Sequence, residues 1–230
     1  FFPELQATDN VVTLPKYAQS HNRLLFMKNT TLKKNEPSTI EIRLATIFDL
    51  TAEKLSYLRE LINTSYSEAE AGLWKSGVVN FRISSDNMLM DLVEQQQLLL
   101  AFDGDTIVGC IYLKALDEEV SEFGMLVTHP DYRGQGIGGK LIAAAEELAS
   151  KTQHTAMQLM LLTPTDGSPH LTKDFLRQWY QKLGYVEQSS QPVAAVEPHQ
   201  IDRLAIDCQF TTFSKSLLPL ENKLKQRCPL

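Results

Sequence analysis

The sequence of 230 residues is poor in cysteine, in basic charge and in long apolar runs. Its three cysteines are an odd number at wide spacing, which excludes a disulfide framework and a zinc pattern. Lysine and arginine total 22 against 28 acidic residues, and the net charge of −6 argues against nucleic-acid binding, which needs a basic surface. No apolar run approaches the ~18 residues of a membrane span, and no signal peptide is visible. We therefore expect a cytoplasmic protein with no nucleic-acid and no membrane partner, although a removed targeting segment would be invisible in a chain that begins at Phe1.

The sequence does contain enough apolar material for a large core. Apolar residues make up 43% and charged residues 22%, which is ordinary for a globular protein. A chain of this length buries roughly 70–75% of its unfolded surface, so it needs neither disulfides nor a metal to hold a core. Cys110, within the apolar run Ile107–Leu113, is expected to be a small buried hydrophobe. The five histidines are scattered without ligand spacing, so we predict no metal site.

The placement of proline and glycine divides the chain into regions. No proline lies between Pro37 and Pro130, and no glycine precedes Gly72, whereas four of the eleven glycines fall between 134 and 139. Residues 1–39 are polar and weakly periodic, and they are predicted to be an extension. Residues 40–217 are predicted to be one domain, and residues 218–230 a tail.

Hydrophobic periodicity predicts a mixed sheet covered by helices. Residues 40–44 alternate as a strand, and Thr51 is placed to cap a helix that carries Leu55, Leu58 and Ile62 on one face. Residues 64–82 are expected to be loop and short helix. Further predicted elements are a helix near 88–93, a hairpin of strands 98–102 and 106–113 around Asp103-Gly104-Asp105, a strand at 122–128, a helix from near Gly138, a strand at 156–162, a helix from a Thr172 cap to Leu183, and strands at 185–187 and 208–213, with 188–206 polar and then mildly helical. This order is typical of an α/β or α+β domain.

The segment Thr128–Lys140 carries the most informative pattern, Thr-His-Pro-Asp-Tyr-Arg-Gly-Gln-Gly-Ile-Gly-Gly-Lys. A predicted strand precedes it and a predicted helix follows. Glycines allow the backbone to turn its N–H groups toward one point, and the N-terminus of the next helix adds a partial positive charge. This arrangement is typical of a site for a phosphate or pyrophosphate group.

Two general phosphate-binding patterns fit this segment poorly. Gly134–Gly139 matches the dinucleotide fingerprint, but a loop containing Pro130 separates it from the strand, and the next strand ends at 162–164 without the required acidic residue. Gly134–Lys140 matches a P-loop except at its last position, where Leu141 replaces the Ser or Thr that holds magnesium.

A third pattern fits better, because Arg133–Gly138 resembles the Gln/Arg-x-x-Gly-x-Gly/Ala signature of the GNAT superfamily of acetyl-CoA-dependent N-acetyltransferases. Residues 122–133 are similar to that family's fourth strand and the loop that leaves it. Trp179–Tyr185 resembles its second hallmark, an aromatic-Tyr-x-x-x-Gly-aromatic segment. The resemblance covers roughly residues 40–217. It implies a single GNAT-like domain with a central mixed, mostly antiparallel sheet of about seven strands flanked by about four helices.

The resemblance also implies a reaction and a set of cofactor contacts. The reaction is transfer of an acetyl group from acetyl-CoA to a primary amine by direct attack in a ternary complex, without a metal. Backbone amides of the glycine segment would hold the pyrophosphate, and the strand before it would pair with the pantetheine arm and stabilise the oxyanion. The implied cofactor-binding residues are Leu126, Val127, Thr128, Arg133, Gly134, Gln135, Gly136, Ile137 and Gly138.

Two residues are implied to be catalytic. Glu122 precedes the cofactor segment on the same strand and would accept the proton of the amine, with Glu68, Glu70 or a water as alternatives. Tyr180 stands at the position of the family's acid, and a phenol with a pKa near ~10 suits protonation of a thiolate with a pKa near ~8.5. A structural ion pair for Glu122 and a packing role for Tyr180 remain open. Candidates for the acceptor pocket are Arg82, Trp74 and His170, and Trp179 and Tyr185 are expected in the core.

The acceptor and the class of protein stay open at this point. A small amine is favoured over a protein lysine or N-terminus, and the protein is expected to be a monomer or a homodimer. The alternative is a catalytically silent acyl-CoA-binding or regulatory module, and the presence of both Tyr180 and Glu122 favours the enzyme. A nucleotide-binding protein is a third possibility, in which ATP or NAD would compete with CoA.

Overall fold

The computed structural model describes residues 39–78 and 80–218, so the predictions for 1–39 and 218–230 lie outside the described residues, apart from Thr39 and Leu218. Seven strands form one sheet in the order β1-β2-β3-β4-β5-β7-β6. They are β1 (Ile40–Leu44), β2 (Leu98–Asp103), β3 (Thr106–Ala115), β4 (Val120–Thr128), β5 (Ala156–Pro164), β6 (Val186–Pro192) and β7 (Cys208–Ser216). β4 and β5 are parallel, and the other neighbours are antiparallel. The mixed, mostly antiparallel sheet is confirmed.

The described residues hold more helices than the predicted four. The α-helices are α1 (Ala52–Ala69), α2 (Asp86–Glu94), α3 (Ile137–Lys151), α4 (Leu171–Lys182) and α5 (Val193–Val196), and the 3-10 segments are Ile47–Asp49, Pro130–Tyr132 and Pro198–Arg203. The surplus consists of short segments, and two of them lie in the connection between β6 and β7 that the sequence marked as mildly helical. Segments of three to six residues are too short to show a helical period.

α1 begins where the sequence predicts and ends later. The Thr51 hydroxyl accepts a hydrogen bond from the Lys54 backbone N–H at 3.3 Å, and Leu55, Leu58 and Ile62 are buried. The helix continues to Ala69, so the stretch 64–82, which was expected to be loop and short helix, begins with the last residues of α1. Helical spacing places Tyr66, four residues after Ile62, on the same face.

Two element boundaries also differ from the prediction. α4 begins at Leu171 and is capped by His170, whose Nδ1 accepts the Lys173 backbone N–H at 3.4 Å, instead of by Thr172. β6 extends to Pro192 because it pairs with β7 from Val186 onward. All seven residues of β6 are exposed, so the strand has no alternation of buried and exposed positions for a sequence pattern to show.

Helices cover both faces of the sheet and divide the core in two. On one face, α1 and α2 pack against strand residues that include Leu100, Tyr112 and Met125. On the other face, α3 and α4 pack against Ile111 and Phe123, together with inward residues of β5. β4 therefore contributes side chains to both cores.

β4 and β5 separate partway along their length, and we call the space between them the β4–β5 gap. Their pairing runs from Val120↔Ala156 to Glu122↔Gln158 and then ends, although β4 continues to Thr128 and β5 to Pro164. β5 stays paired with β7 throughout, and β4 stays paired with β3. Two strand edges therefore face each other across the gap with backbone groups that the ladder does not use.

A bulge distorts β4 beside this gap. β3 and β4 pair at Tyr112↔Gly124 and next at Cys110↔Val127, so Met125 and its neighbour oppose a single residue of β3. Met125 has a φ of 51°, in the left-handed region that residues with a side chain rarely adopt. Bulges of this kind redirect the strand and free its backbone groups from the ladder.

Gly109 should be essential to the packing opposite this bulge. A Cβ at Gly109 would lie 2.7 Å from the Val127 backbone oxygen, which is too close for a carbon. We expect Gly109→Ala to lower the free energy of unfolding by about 1–3 kcal/mol, measured by urea denaturation. Gly124→Ala is the matched control, because the nearest atom to its Cβ is Tyr112 Cδ1 at 3.8 Å. Equal stability of the two variants would contradict this reading.

Candidate active site

β4 leads into a glycine loop (residues 133–139) that ends at the start of α3. Gly134 and Gly136 have φ values of 81° and 79°, a region that glycine adopts without steric cost. Gly136 is the N-cap of α3, so no side chain caps the helix, and no acidic residue lies in the first turn. The first N–H groups of a helix have no partner within the helix. This helix start is therefore suited to an anion supplied from outside.

α4 holds the start of α3 in place. A Cβ at Gly138 would lie 3.2 Å from Trp179 Cη2, so the tryptophan rests directly on the glycine. Ile137 beside it is 1% exposed and packs in the core shared by α3 and α4. The predicted packing role of Trp179 therefore includes fixing the glycine loop.

The other side of the glycine loop is fixed by the β2–β3 hairpin and by α1. The Tyr132 hydroxyl donates to Asp103 Oδ2 at 2.7 Å, and the His129 ring stacks on the Tyr57 ring at 6.4 Å between centroids. Arg133 Nη2 lies 3.2 Å from Glu68 Oε2. Both side chains of this ion pair are about half exposed, and such pairs stabilise by at most about 1 kcal/mol, so Arg133 remains available to an anion.

Tyr180 packs from α4 against the face of the sheet that holds Phe123. Its side chain is 6% exposed, and its ring centroid lies 6.0 Å from that of Phe123, the first β4 residue beyond the pairing with β5. Burial raises the pKa of Tyr180 well above its usual range. The hydroxyl therefore keeps its proton at neutral pH, and in this buried state it is a weaker acid than a free phenol.

Glu122 lies at the closed end of the gap. Its Oε2 accepts a hydrogen bond from Gln158 Nε2 at 2.9 Å, and its Oε1 lies 3.5 Å from Lys114 Nζ. The residue is 7% exposed. The carboxylate thus stands in a structural ion pair and also adjoins the place where the two strands part.

A cavity of about 490 Å³ lies along the C-terminal part of α1 and the loop that follows it. Its described lining residues include Tyr66, Glu68, Glu70, Trp74, Asn80 and Phe81. Glu122 is not among the described residues that line it. The volume lies in the range of small-molecule sites, and the predicted candidates Glu68, Glu70 and Trp74 meet here.

Glu70 in the wall of this cavity is a buried anion with three donors. It is 2% exposed and accepts hydrogen bonds from Trp74 Nε1 at 2.8 Å, Arg82 Nη2 at 2.7 Å and Lys173 Nζ at 3.2 Å. Burial raises the pKa of Glu70, but the charges of Arg82 and Lys173 and the hydrogen bonds outweigh it and leave the pKa below its usual value. A carboxylate held in this way is a poor base, so its role is to fix the cavity wall.

Arg82 and His170, both predicted to line the acceptor pocket, contact residues that line it. Neither is among the described residues that line the cavity. The Arg82 guanidinium carbon lies 4.6 Å from the centre of the Tyr66 ring. His170 Nε2 lies 3.1 Å from the Ala71 carbonyl oxygen, which connects the start of α4 to the end of α1.

Tyr66 is a residue of this site that the sequence reasoning missed. It lines the cavity and packs against the core cluster that contains Met125 of the β4 bulge. Burial raises the pKa of Tyr66 to about 12, while the charge of Arg82 and a backbone hydrogen bond at Met125 act in the opposite direction. The sequence feature that could have identified Tyr66 is its helical spacing from Ile62, four residues earlier. This spacing has a meaning only if α1 continues beyond residue 64.

The described residues show neither a metal centre nor a reactive thiol at Cys110. Among residues 39–78 and 80–218, no three His, Cys, Asp or Glu side chains are grouped as metal ligands. Cys110 is fully buried, as predicted, and burial raises the pKa of its thiol to about 12, so it is an inert packing residue. None of the helices in the described part is long and apolar enough to cross a membrane.

Sequence comparison places the glycine loop within a known domain. Residues 94–187 match the family model described as acetyltransferase (GNAT) domain. Over 55 residues the chain is 42% identical to the mycothiol acetyltransferase of Thermobispora bispora. That match covers 24% of this chain and 18% of the length of the curated relative.

Solved structures, two of them acetyltransferases complexed with coenzyme A, share the fold. An aminoglycoside 6′-N-acetyltransferase complexed with coenzyme A aligns with a TM-score of 0.59 at 17% identity, over 78% of this chain and 98% of that chain. The PaiA N-acetyltransferase of Thermoplasma acidophilum in complex with coenzyme A gives 0.56 at 21% identity, over 77% and 99%. Ard1 of Thermoplasma volcanium gives 0.54 at 15% identity, over 78% and 99%. At these identities the likeness is one of fold.

Proposed function

Because this chain carries a GNAT acetyltransferase domain, we propose that it transfers the acetyl group of acetyl-CoA to a primary amine by direct attack in a ternary complex. One observation carries the proposal: the β4–β5 gap leads to the uncapped, glycine-rich start of α3. The gap offers free backbone groups to an extended amide chain, and the helix start offers N–H groups to a pyrophosphate. The coenzyme A complexes of two structural relatives support this assignment.

The residues that would hold acetyl-CoA lie in two consecutive segments. The backbone amides of 134–138, together with the half-exposed Arg133 side chain, would hold the pyrophosphate. The β4 edge at Leu126–Thr128, beyond the end of pairing with β5, would pair with the pantetheine arm. Acetyl-CoA, when bound, supplies an acetyl thioester.

Tyr180 is the proposed acid and Glu122 the proposed base. In the transfer, a bond forms between the amine nitrogen and the acetyl carbonyl carbon, and the carbon–sulfur bond breaks. Tyr180, which burial keeps protonated before the transfer, donates its proton to the sulfur as the thiolate leaves. Glu122 receives the proton of the amine through a water, since it lies outside the described lining of the cavity.

The cavity favours a small amine as the acceptor. Its volume of about 490 Å³ suits a small molecule or one extended side chain. A small amine is therefore proposed ahead of a protein lysine or N-terminus. Cytoplasmic location and a monomeric or homodimeric state remain predictions.

Thiol release from acetyl-CoA across a panel of small amines, peptides and polyamines tests the proposal. We expect saturable, amine-dependent release with at least one acceptor and a product heavier by one acetyl group. Coenzyme A binding without turnover of any amine would favour the catalytically silent acyl-CoA-binding module. Displacement of coenzyme A by ATP or NAD would favour a nucleotide-binding protein.

A further inference from the structure

Glu68 connects the acceptor cavity to the glycine loop. It is the second-last residue of α1, and it lines the cavity. Its Oε2 lies 3.2 Å from Nη2 of Arg133, the first residue of the loop. The Glu68 side chain is 55% exposed, so a ligand in the cavity can reach its carboxylate. One ion pair therefore joins the proposed site of the amine to the proposed site of the pyrophosphate.

Glu68 is also the carboxylate of the cavity that is accessible to a cation of the substrate. The described lining contains one other carboxylate, Glu70, which is buried and already bound by three donors. Lys75 lines the cavity as well, but its Nζ donates to the Asp202 backbone oxygen at 2.7 Å. A cationic ligand in this cavity therefore has one carboxylate to bind, and its competitor for that carboxylate is Arg133.

The ion pair is not needed to hold the glycine loop in place. The Tyr132 hydroxyl donates to Asp103 Oδ2, and the His129 ring stacks on the Tyr57 ring of α1. Both contacts fix the segment that leads into the loop, and neither involves Glu68. Because both side chains of the pair are about half exposed, the pair is weak, and the arginine can exchange the carboxylate for another anion.

We propose that Glu68 binds the ammonium group of the acceptor, and that its carboxylate becomes available when the pyrophosphate of acetyl-CoA binds Arg133 in its place. The inference rests on the proposed function. A pyrophosphate carries more negative charge than one carboxylate, so it is the stronger partner for a guanidinium. An aliphatic amine is an ammonium ion at neutral pH and supplies the cation that Glu68 has then lost.

This role specifies the class of acceptor and couples the two substrates. The acceptor is an aliphatic amine that enters the cavity as a cation, in preference to an aromatic amine, which is neutral at the same pH. Coenzyme A strengthens the binding of the amine, and by reciprocity the amine strengthens the binding of coenzyme A. The ammonium ion then loses its proton to the proposed base, Glu122, before the nitrogen attacks. Glu68 is thus a residue that binds the substrate.

Calorimetric titration of Glu68→Gln with coenzyme A tests the exchange of partners. In this variant the cofactor has no anion to displace from Arg133, so we expect its Kd to be about threefold lower than in the wild type. Glu60→Gln is the matched control, because it removes the same charge from an exposed position of α1 outside the described lining of the cavity, and its Kd should equal that of the wild type. In an Arg133→Gln background, Glu68→Gln should leave the Kd unchanged, since the pair no longer exists.

The affinity for the amine tests the second half of the proposal. With the amine of highest kcat/KM in the panel, we expect Glu68→Gln to raise KM about fivefold and to leave kcat nearly unchanged, because the lost contact exists before the reaction as well as during it. Saturating coenzyme A should lower the Kd of this amine about threefold in the wild type. In Glu68→Gln the Kd of the amine should not depend on coenzyme A.

These measurements separate the inference from the proposed function. An active enzyme in which Glu68→Gln leaves the Kd of coenzyme A or the KM of the amine at its wild-type value would overturn the inference alone. A fall in kcat at constant KM would overturn it too, since Glu68 would then act in the chemical step. A wild-type protein that acetylates no amine would overturn the proposed function and this inference together.

Discussion

Glu70→Gln should destabilise the protein by about 3–5 kcal/mol, because it leaves two cations without their common buried anion. Lys173 Nζ, whose side chain is 5% exposed, and Arg82 Nη2 both contact Glu70 Oε1. A glutamine keeps the shape of the side chain and one acceptor oxygen but provides no negative charge. The free energy of unfolding from urea denaturation at pH 7 measures the loss.

Two further variants are controls for the predicted loss of stability in Glu70→Gln. Glu187→Gln breaks the pair with Arg177, whose side chains are 35% and 37% exposed, and should cost less than about 1 kcal/mol. Adding Lys173→Met to Glu70→Gln removes one of the unpaired cations and should restore part of the stability. Equal losses in Glu70→Gln and Glu187→Gln would show that burial of the cluster contributes nothing.

The pH dependence of the free energy of unfolding should show the titration of Glu70. The pKa of Glu70 lies below its ordinary value of 4.5, so the folded protein favours the charged form. Its contribution is therefore complete above that ordinary value and is lost as the pH falls through the lower, folded-state pKa. The difference in unfolding free energy between wild type and Glu70→Gln should be constant from pH 7 to about 5 and shrink below about pH 4.5. A difference that grows on acidification would contradict the lowered pKa.

Sequence patterns located the glycine loop because its information is local. Four glycines within six residues, placed between a strand and a helix, predict the turn geometry and the free N–H groups without any tertiary contact. The Thr51 cap and the Asp103–Thr106 hairpin were predictable for the same reason. Each depends on residues at most a few positions apart.

The wall of the cavity was not predictable in this way. Glu70 and Lys173 are 103 positions apart, so no sequence window joins them. Residues 64–67, Thr-Ser-Tyr-Ser, are weak helix formers, and they are helical because Tyr66 packs on the core cluster of the sheet. Tertiary packing thus overrides local helix propensity there. Because residues 64–69 were not assigned to α1, Tyr66 was also missed as a residue that lines the cavity.

Tyr180→Phe is the change with the largest expected effect on the reaction. We expect kcat to fall at least about 10-fold and the Kd of coenzyme A to stay nearly constant, within the range of general-acid contributions. The ring packs against Phe123, Trp179 and Phe213, and phenylalanine preserves those contacts. Stopped-flow measurement of thiol release and titration with coenzyme A separate the two quantities.

The effect of Tyr180→Phe depends on what the Tyr180 hydroxyl does in the wild-type protein. If it protonates the departing sulfur, kcat and kcat/KM fall by equal factors, because the interaction exists only in the transition state. If the hydroxyl only helps to pack α4 against the sheet, Tyr180→Phe loses thermal stability and keeps its kcat. Tyr185→Phe supplies the reference, since Tyr185 shares the same aromatic cluster and its hydroxyl is engaged by Glu146. An unchanged kcat in Tyr180→Phe would remove this residue from the mechanism and leave protonation of the sulfur to water.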